Sequence, residues 1–209
     1  MIQPIQMNYT PEQFAKAVLV ALEQLNGPDV SKLSLSEKIE LARNTNTPQE
    51  TLIILAKDKD WYVRWSVAKN SNTPQETLIF LAKDEDWSVR NGVANNSNTP
   101  PETLIILAKD EDSDVRYEVA QNSNTPPETI ITLAKDEDWS IRYWVAQNSN
   151  TPQEALIVLA KDNDSDVRNA VENNTTSTRE IIQTKRAFEF FKDMENNGTL
   201  AKVSTSYAK

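Results

Sequence analysis

From Thr47 onward, short apolar runs alternate with polar punctuation at a fixed interval of 26 residues. In the first copy, Thr47 to Asn72, the run Leu52-Ile53-Ile54-Leu55-Ala56 gives way to Lys57-Asp58-Lys59-Asp60. Val63, Val67 and Ala68 then follow at helical spacing, and Asn70-Ser71-Asn72 closes the copy. Proline keeps the same interval at Pro48, Pro74, Pro100, Pro126 and Pro152, and arginine at Arg64, Arg90, Arg116, Arg142 and Arg168. A fixed period of roughly 20–50 residues is the mark of a stacked array, in which each unit contacts only its neighbours.

The pattern predicts two short helices per copy. Thr47-Pro48-Gln49-Glu50 reads as a helix start: threonine caps, proline takes the first helical position, and glutamate completes a capping box. The same four-residue logic returns from Thr73, Thr99, Thr125 and Thr151. A helix apolar all round is expected to be covered by its partner helix and by both neighbouring copies. Asp60 is expected to cap a second helix, Trp61 to Lys69, which buries Val63, Val67 and Ala68. Asparagine at Asn70 tolerates a left-handed turn and so suits the helix end.

A single hairpin buries too little to fold alone, so the array must be cooperative and capped. The predicted fold is an all-α superhelical solenoid. Residues 1–47 form N-terminal capping helices and a degenerate half repeat, and 48–177 form five tandem repeats. A C-terminal capping helix over 178–198 and a flexible tail over 199–209 complete it. Within the first part, Tyr9-Thr10-Pro11-Glu12 opens a helix to Leu25. Leu33 to Asn44 reads as a worn second helix, with Lys38 standing where the repeats carry arginine.

Composition narrows the chemistry. A formal net charge of −9 argues against nucleic acid or an anionic membrane as main partner. The chain has no cysteine and no histidine, which removes disulfides, thiolate nucleophiles, the usual zinc sites and imidazole acid–base chemistry. No cofactor or metal is expected. The start, MIQPIQMNYTPEQF, has neither the basic residues nor the apolar run of a secretory signal. No stretch approaches the roughly 20 apolar residues needed to cross a bilayer, so a cytoplasmic, non-enzymatic protein is expected.

The string D-x-x-V-R-x-x-V-A-x-N-x-x-T-P-x-E, seen from Asp86 to Glu102 as DWSVRNGVANNSNTPPE, resembles the leucine-rich repeat variant, a relative of HEAT-type helical arrays. The resemblance spans Leu33 to Phe191 and recurs in register. It implies alternating short helices, one α and one tending toward 3₁₀, stacked in a right-handed superhelix with a concave layer that grips protein partners. The period is slightly longer than the usual variant repeat, so superhelical pitch is not carried over. The cysteine cluster of one such family member is absent here, and with it any iron–sulfur cofactor.

Residues unchanged between copies read as scaffold. Asp60, Asp86, Asp112, Asp138 and Asp164 stand four residues before Arg64, Arg90, Arg116, Arg142 and Arg168, a spacing that pairs them within a helix. The arginines also have the reach to pair with aspartates of the adjacent copy and build a ladder; the alternative is an anion clamp. Asn70, Asn96, Asn122, Asn148 and Asn174 read as turn formers bonded to the neighbouring loop, against a ligand-binding row. Asp162-Asn163-Asp164-Ser165-Asp166 resembles a calcium loop but has Val167 and Asn173 where such a loop needs glycine and glutamate.

Positions that vary between copies carry the functional expectation. Trp61, Trp87 and Trp139 share one place with Ser113 and Ser165; Trp65, Tyr117 and Tyr143 share the next with Asn91 and Asn169. Trp144 shares the third with Ser66, Gly92, Glu118 and Ala170. Residues so unlike one another are not expected to fill a fixed core slot. Trp61, Trp65, Trp87, Tyr117, Trp139, Tyr143 and Trp144 are therefore the candidate partner-binding strip, with seam filling as the alternative. The expected function is a non-catalytic scaffold for a basic or amphipathic protein segment. Nucleic-acid binding, a pigment-lyase activity like that of some HEAT-like arrays, and self-association are the competing readings.

Overall fold

The computed structural model describes residues 29–174 and 178–196, so the helix expected over Tyr9 to Leu25 and the tail from Thr199 lie outside the described residues. After a 3₁₀ turn, Val30–Lys32, come α1 (Leu35–Arg43), α2 (Gln49–Leu55), α3 (Trp61–Ala68) and α4 (Gln75–Leu81). Then follow α5 (Trp87–Asn95), α6 (Pro101–Leu107), α7 (Ser113–Gln121) and α8 (Pro127–Leu133). The described residues close with α9 (Trp139–Gln147), α10 (Gln153–Leu159), α11 (Ser165–Asn173) and the longer α12 (Arg179–Asn196). The structure is all-helical, a solenoid of two-helix repeats, and no described helix is long and apolar enough to span a membrane.

The two layers differ. The second helices, α1 through α11 by odd number, pack directly side by side, whereas the first helices mainly touch their own hairpin partners. Closer packing on one side bends a stack toward that side, so the second-helix layer is the inner one. Between the layers lies a continuous core. Each first helix contributes a pair such as Leu52 and Leu55, and each second helix a pair such as Val63 and Val67, all without solvent exposure.

Short helices start where the sequence says, by partly different means. The aspartate caps are as expected: Asp60 Oδ1 accepts from Tyr62 N–H at 2.9 Å, and Asp86, Asp112, Asp138 and Asp164 do likewise in their copies. The threonine caps are not. Pro48 and its equivalents occupy the cap position in extended conformation, and no side chain caps these helices. The threonine hydroxyl instead turns back and donates to a carbonyl six residues earlier, as Thr99 does to Val93 O at 2.6 Å. That carbonyl, near the end of the preceding helix, also accepts the Asn96 N–H at 3.0 Å, so the hydroxyl is the second partner of a buried acceptor with two lone pairs.

Three other expectations are corrected. Asn96, Asn122, Asn148 and Asn174 end their helices in extended backbone, with φ between −66° and −76°, and not in a left-handed turn. Both layers are α-helical, and the 3₁₀ alternation implied by the family resemblance does not occur in the described repeats. The first helices are also not covered all round. Ile53, Ile54, Ile79, Phe80, Ile105, Ile106, Ile157 and Val158 are 38–60% exposed, because the neighbouring first helices stand too far off to close over them.

Candidate functional site

Arginine and aspartate build a ladder, in a register set by the loop. Arg64 Nε and Nη2 grip Asp84 of the next copy at 2.6 and 2.8 Å, while Nη1 donates to Asp58 O and Lys59 O. Arg90, Arg116 and Arg142 repeat this on Asp110, Asp136 and Asp162. The cap aspartates Asp60, Asp86, Asp112, Asp138 and Asp164 are not the partners; each accepts a backbone N–H at its own helix start, and the aspartate two residues earlier takes the cation of the ladder. At the ends the register is kept by other residues: Lys38 pairs with Asp58 at 2.8 Å, and Arg168 with Glu189 of α12 at 3.1 Å.

The Arg64, Arg90, Arg116 and Arg142 guanidiniums are mostly buried, and each of their three nitrogens donates within the protein, which argues against a clamp for an external anion. The Asp84 hydrogen bond raises the Arg64 pKa above its ordinary value. Burial pushes the Asp162 carboxyl up, but the Arg142 hydrogen bond, the Asp164 N–H and the charges of Arg142 and Arg168 together outweigh it and leave the group below its ordinary value. The resemblance of the Asp162 loop to a calcium site dissolves in the same geometry, since Asp162 holds Arg142 and Asp164 caps α11.

The asparagines form a second ladder, in the opposite direction. Asn122 Nδ2 donates to Ala94 O at 2.7 Å and Asn96 O at 3.0 Å, both in the previous copy, while its Oδ1 accepts from Asn124 N–H. Asn70, Asn96 and Asn174 make the same pair of bonds. Every amide of this row donates to a backbone carbonyl of the previous copy, which makes the row part of the scaffold.

The aromatic residues divide by position. Trp61, Trp87 and Trp139 stand exposed on the second-helix layer, at 45–49%. Trp65, Tyr117 and Tyr143 are half-buried against the core. The third position lies in the seam between adjacent second helices: Ser66, Gly92 and Ala170 are buried there, so this position does fill a packing slot after all. The slot varies because its neighbour varies with it.

Each seam shows this pairing. Between α3 and α5, Gly92 makes room for Trp65; a Cβ on Gly92 would stand 3.2 Å from the indole Cδ1 and 3.1 Å from Ala68 Cβ. Between α5 and α7, Asn91 donates to Asp114 O at 3.0 Å and Asn95 to Glu118 at 2.6 Å. Between α7 and α9, Trp144 meets Tyr117 edge to face, centroids 5.5 Å apart. Between α9 and α11, Ala170 replaces the tryptophan and the seam stays open. The cleft there holds about 820 Å³, with Trp139, Tyr143 and Trp144 on one wall and Asp166, Asn169 and Asn173 on the other.

Charge on this layer is asymmetric. Asp114 and Asp166 are exposed and carry no ion pair among the described residues. Glu172 is held by Lys185 at 2.7 Å and Arg186 at 3.3 Å, and the Lys185 contact first of all keeps its carboxyl below the usual range. Toward the other end, Arg43 lies over Tyr62 and Lys69 over Trp65.

The opposite layer carries the surface that sequence reasoning missed. The exposed Ile53/Ile54, Ile79/Phe80, Ile105/Ile106 and Ile157/Val158 pairs form an apolar stripe, interrupted where Ile131 is half-buried and Thr132 takes the outer place. It is flanked by exposed rows at the two helix ends, glutamates Glu50 to Glu154 and lysines Lys57 to Lys161, one of each per copy. A seven-residue helix apolar all round was the available signal: seven residues are too few to be enclosed on every side.

No protein-family model matches the chain, and no curated protein does. Among solved structures the chain is similar to one described as a leucine-rich repeat variant with a novel repetitive protein structural motif. The two are 26% identical, with a TM-score of 0.54, over 86% of this chain and 76% of that one.

Proposed function

We propose, from a chain that has the helical-repeat fold of a leucine-rich repeat variant, that this array is a non-catalytic scaffold. It binds an extended basic segment of a partner protein along its second-helix layer. The observation that carries the reading is the row of exposed indoles, Trp61, Trp87 and Trp139, on the inner layer beside the unpaired carboxylates Asp114 and Asp166. Indoles in a concave layer supply large rigid contact area, and the carboxylates choose a cationic partner. The engagement of the ladder arginines within the protein argues against phosphate contacts and hence against the nucleic-acid reading.

Fluorescence anisotropy with panels of basic, neutral and acidic ten-residue peptides tests this. Basic peptides are expected to bind, and Trp61→Ala/Trp87→Ala/Trp139→Ala to weaken them at least about a hundredfold, since a hot-spot indole is worth about 2 kcal/mol or more. Far-UV circular dichroism of the variant should be unchanged, because these indoles are half exposed. Equal affinity in the variant, or no preference for basic over acidic peptides, overturns the reading.

The outer stripe favours a second reading, self-association through the first helices. Exposed apolar patches beyond a few hundred Å² mark contact surfaces. A twofold axis parallel to the array would set the glutamate row of one copy against the lysine row of the other and bury the isoleucines between them. Helix dipoles already explain the sign at each helix end, but the complementarity exists whatever placed the charges. Sedimentation velocity should show dimers in wild type and monomers in both Glu76→Lys/Glu102→Lys and Lys83→Glu/Lys109→Glu, with dimers restored on mixing the two variants. A wild type that stays monomeric at high micromolar concentration sinks this reading.

A further inference from the structure

We infer that the open seam between α9 and α11 is a pocket for one guanidinium, an arginine side chain presented by the segment bound along the second-helix layer. The inference rests on that reading of the layer and supplies the chemistry of its anchor.

Three rings shape one wall. Trp139 and Tyr143 meet at 65° with centroids 6.4 Å apart, and Tyr143 and Trp144 at 86° and 5.8 Å. Rings set at such angles make a corner, so a planar cation stacks on one ring while another closes over its edge. Across the cleft stands Asp166, exposed and unpaired. Aromatic faces opposite a free carboxylate form the environment of a cation.

Elsewhere on the same layer the chain provides its own cations. Arg43 sits 5.1 Å from the Tyr62 centroid, and Lys69 Nζ sits 5.4 Å from that of Trp65. Among the described residues no lysine or arginine lies over Trp139, Tyr143 or Trp144. Lys185, behind the far wall, is held by Glu172 at 2.7 Å and by Asn169 Oδ1 at 3.0 Å, so it does not neutralise Asp166. The pocket thus has ring surface and charge for a cation that must come from outside.

Guanidinium fits better than ammonium. It is planar and weakly hydrated, stacks on rings, and presents five donors in a fixed fork. Asp166 can accept two of them, and Gln147 and Asn173, which also line the cleft, carry amide oxygens able to accept others. A saccharide would also stack on these rings, but a neutral ligand gains little from an unpaired carboxylate. The seam is open because Ala170 stands where the previous copy has Trp144, the residue that closes the α7/α9 seam against Tyr117.

The test follows the tryptophan indole N–H resonances by NMR while N-acetylarginine amide is titrated into the full chain. Signals of Trp139 and Trp144 should shift, and those of Trp61, Trp65 and Trp87 should not. The neutral isostere, N-acetylcitrulline amide, should bind at least about tenfold more weakly, and Asp166→Asn should weaken the arginine probe about five- to tenfold while leaving citrulline unchanged. Ala170→Trp, a residue the framework already accepts one copy earlier, should abolish the response with the helical spectrum intact. Arginine and citrulline binding alike, methyl glucoside moving the same indoles as strongly, or all five indoles moving together would each overturn the inference. Should basic peptides bind while the arginine probe leaves Trp139 and Trp144 unmoved, the pocket falls and the binding layer stands. The reverse result keeps the pocket and removes the extended partner.

Discussion

Asp136→Ala is expected to destabilise the array by about 3–5 kcal/mol, because it strands the Arg116 guanidinium in a buried site. Arg116 and Asp136 are each about a tenth exposed or less in their side chains, and the two bonds between them, at 2.8 and 3.0 Å, cross from the third copy to the fourth. The substitution also removes the acceptor of the Asp138 N–H. In a solenoid the coupling between neighbours is what makes unfolding a single event. Weakening this one interface should therefore lower the midpoint and also split the denaturant transition seen by circular dichroism into two steps. The paired replacement Arg116→Met/Asp136→Leu should recover at least about 2 kcal/mol of the loss, since it removes the charge together with its partner. A single unsplit transition within about 1 kcal/mol of wild type for Asp136→Ala would show that the ladder contributes little to coupling.

Asn122→Ala is the second large effect, expected at about 2–4 kcal/mol. It deletes two donated bonds and one accepted bond at a buried site and leaves the Ala94 carbonyl without its amide partner. Asn122→Asp separates two explanations of the residue. If the asparagine served only to shape a turn, aspartate would replace it with little loss, because both residues bond their own backbone two positions on. Since the amide N–H₂ clamps two carbonyls of the previous copy, aspartate should be at least as damaging as alanine: it has no donor to offer and buries a charge beside two carbonyl oxygens. Chemical denaturation of the two variants decides the matter, and near-wild-type stability for the aspartate form would rule out the clamp.

What could be read from the sequence was whatever depends on local spacing. The period, the hairpin unit, the aspartate caps and the reach of each arginine into the next copy all follow from residue intervals within one or two copies. Even the end effects were legible, since Lys38 sits at the arginine place and pairs as an arginine would. What was hidden depends on distances between elements. Asp58 and Asp60 look equivalent as ladder partners, and only the path of the loop makes one the cap and its neighbour the acceptor of a cation from the previous copy. The threonine before each proline fits a capping box perfectly well on paper. Its hydroxyl goes elsewhere because an extended proline takes the cap position and a buried carbonyl of the helix before it has a second lone pair to offer. The exposure of Ile54 or Ile106 was illegible for a simpler reason: a run of apolar residues says nothing about how far away the next helix stands.

The same limit applied to the candidate site. The tryptophan positions were visible as departures from the repeat, but their division into exposed, half-buried and seam positions was not. Gly92 and Trp65 are 27 places apart and act as one packing unit, as do Trp144 and Tyr117. Substitution in one copy is answered in the next, so variability alone overstated how much of the strip faces outward. The open seam at Ala170 emerges only when the pairs are matched and one lacks its second member.

The two ladders run in opposite senses, arginine reaching forward to the next copy and asparagine backward to the previous one. Every internal junction consequently has the same arginine rung, and only the outermost ones need special residues for it, Lys38 at one end and Glu189 at the other. A gene encoding such a chain can gain or lose a whole 26-residue unit by slippage and keep every rung of the arginine ladder paired, with only the seam pairs of the second helices left to be matched again. Length is then a quantity that selection can adjust in steps, and the reach of the inner surface along a partner would lengthen or shorten with it.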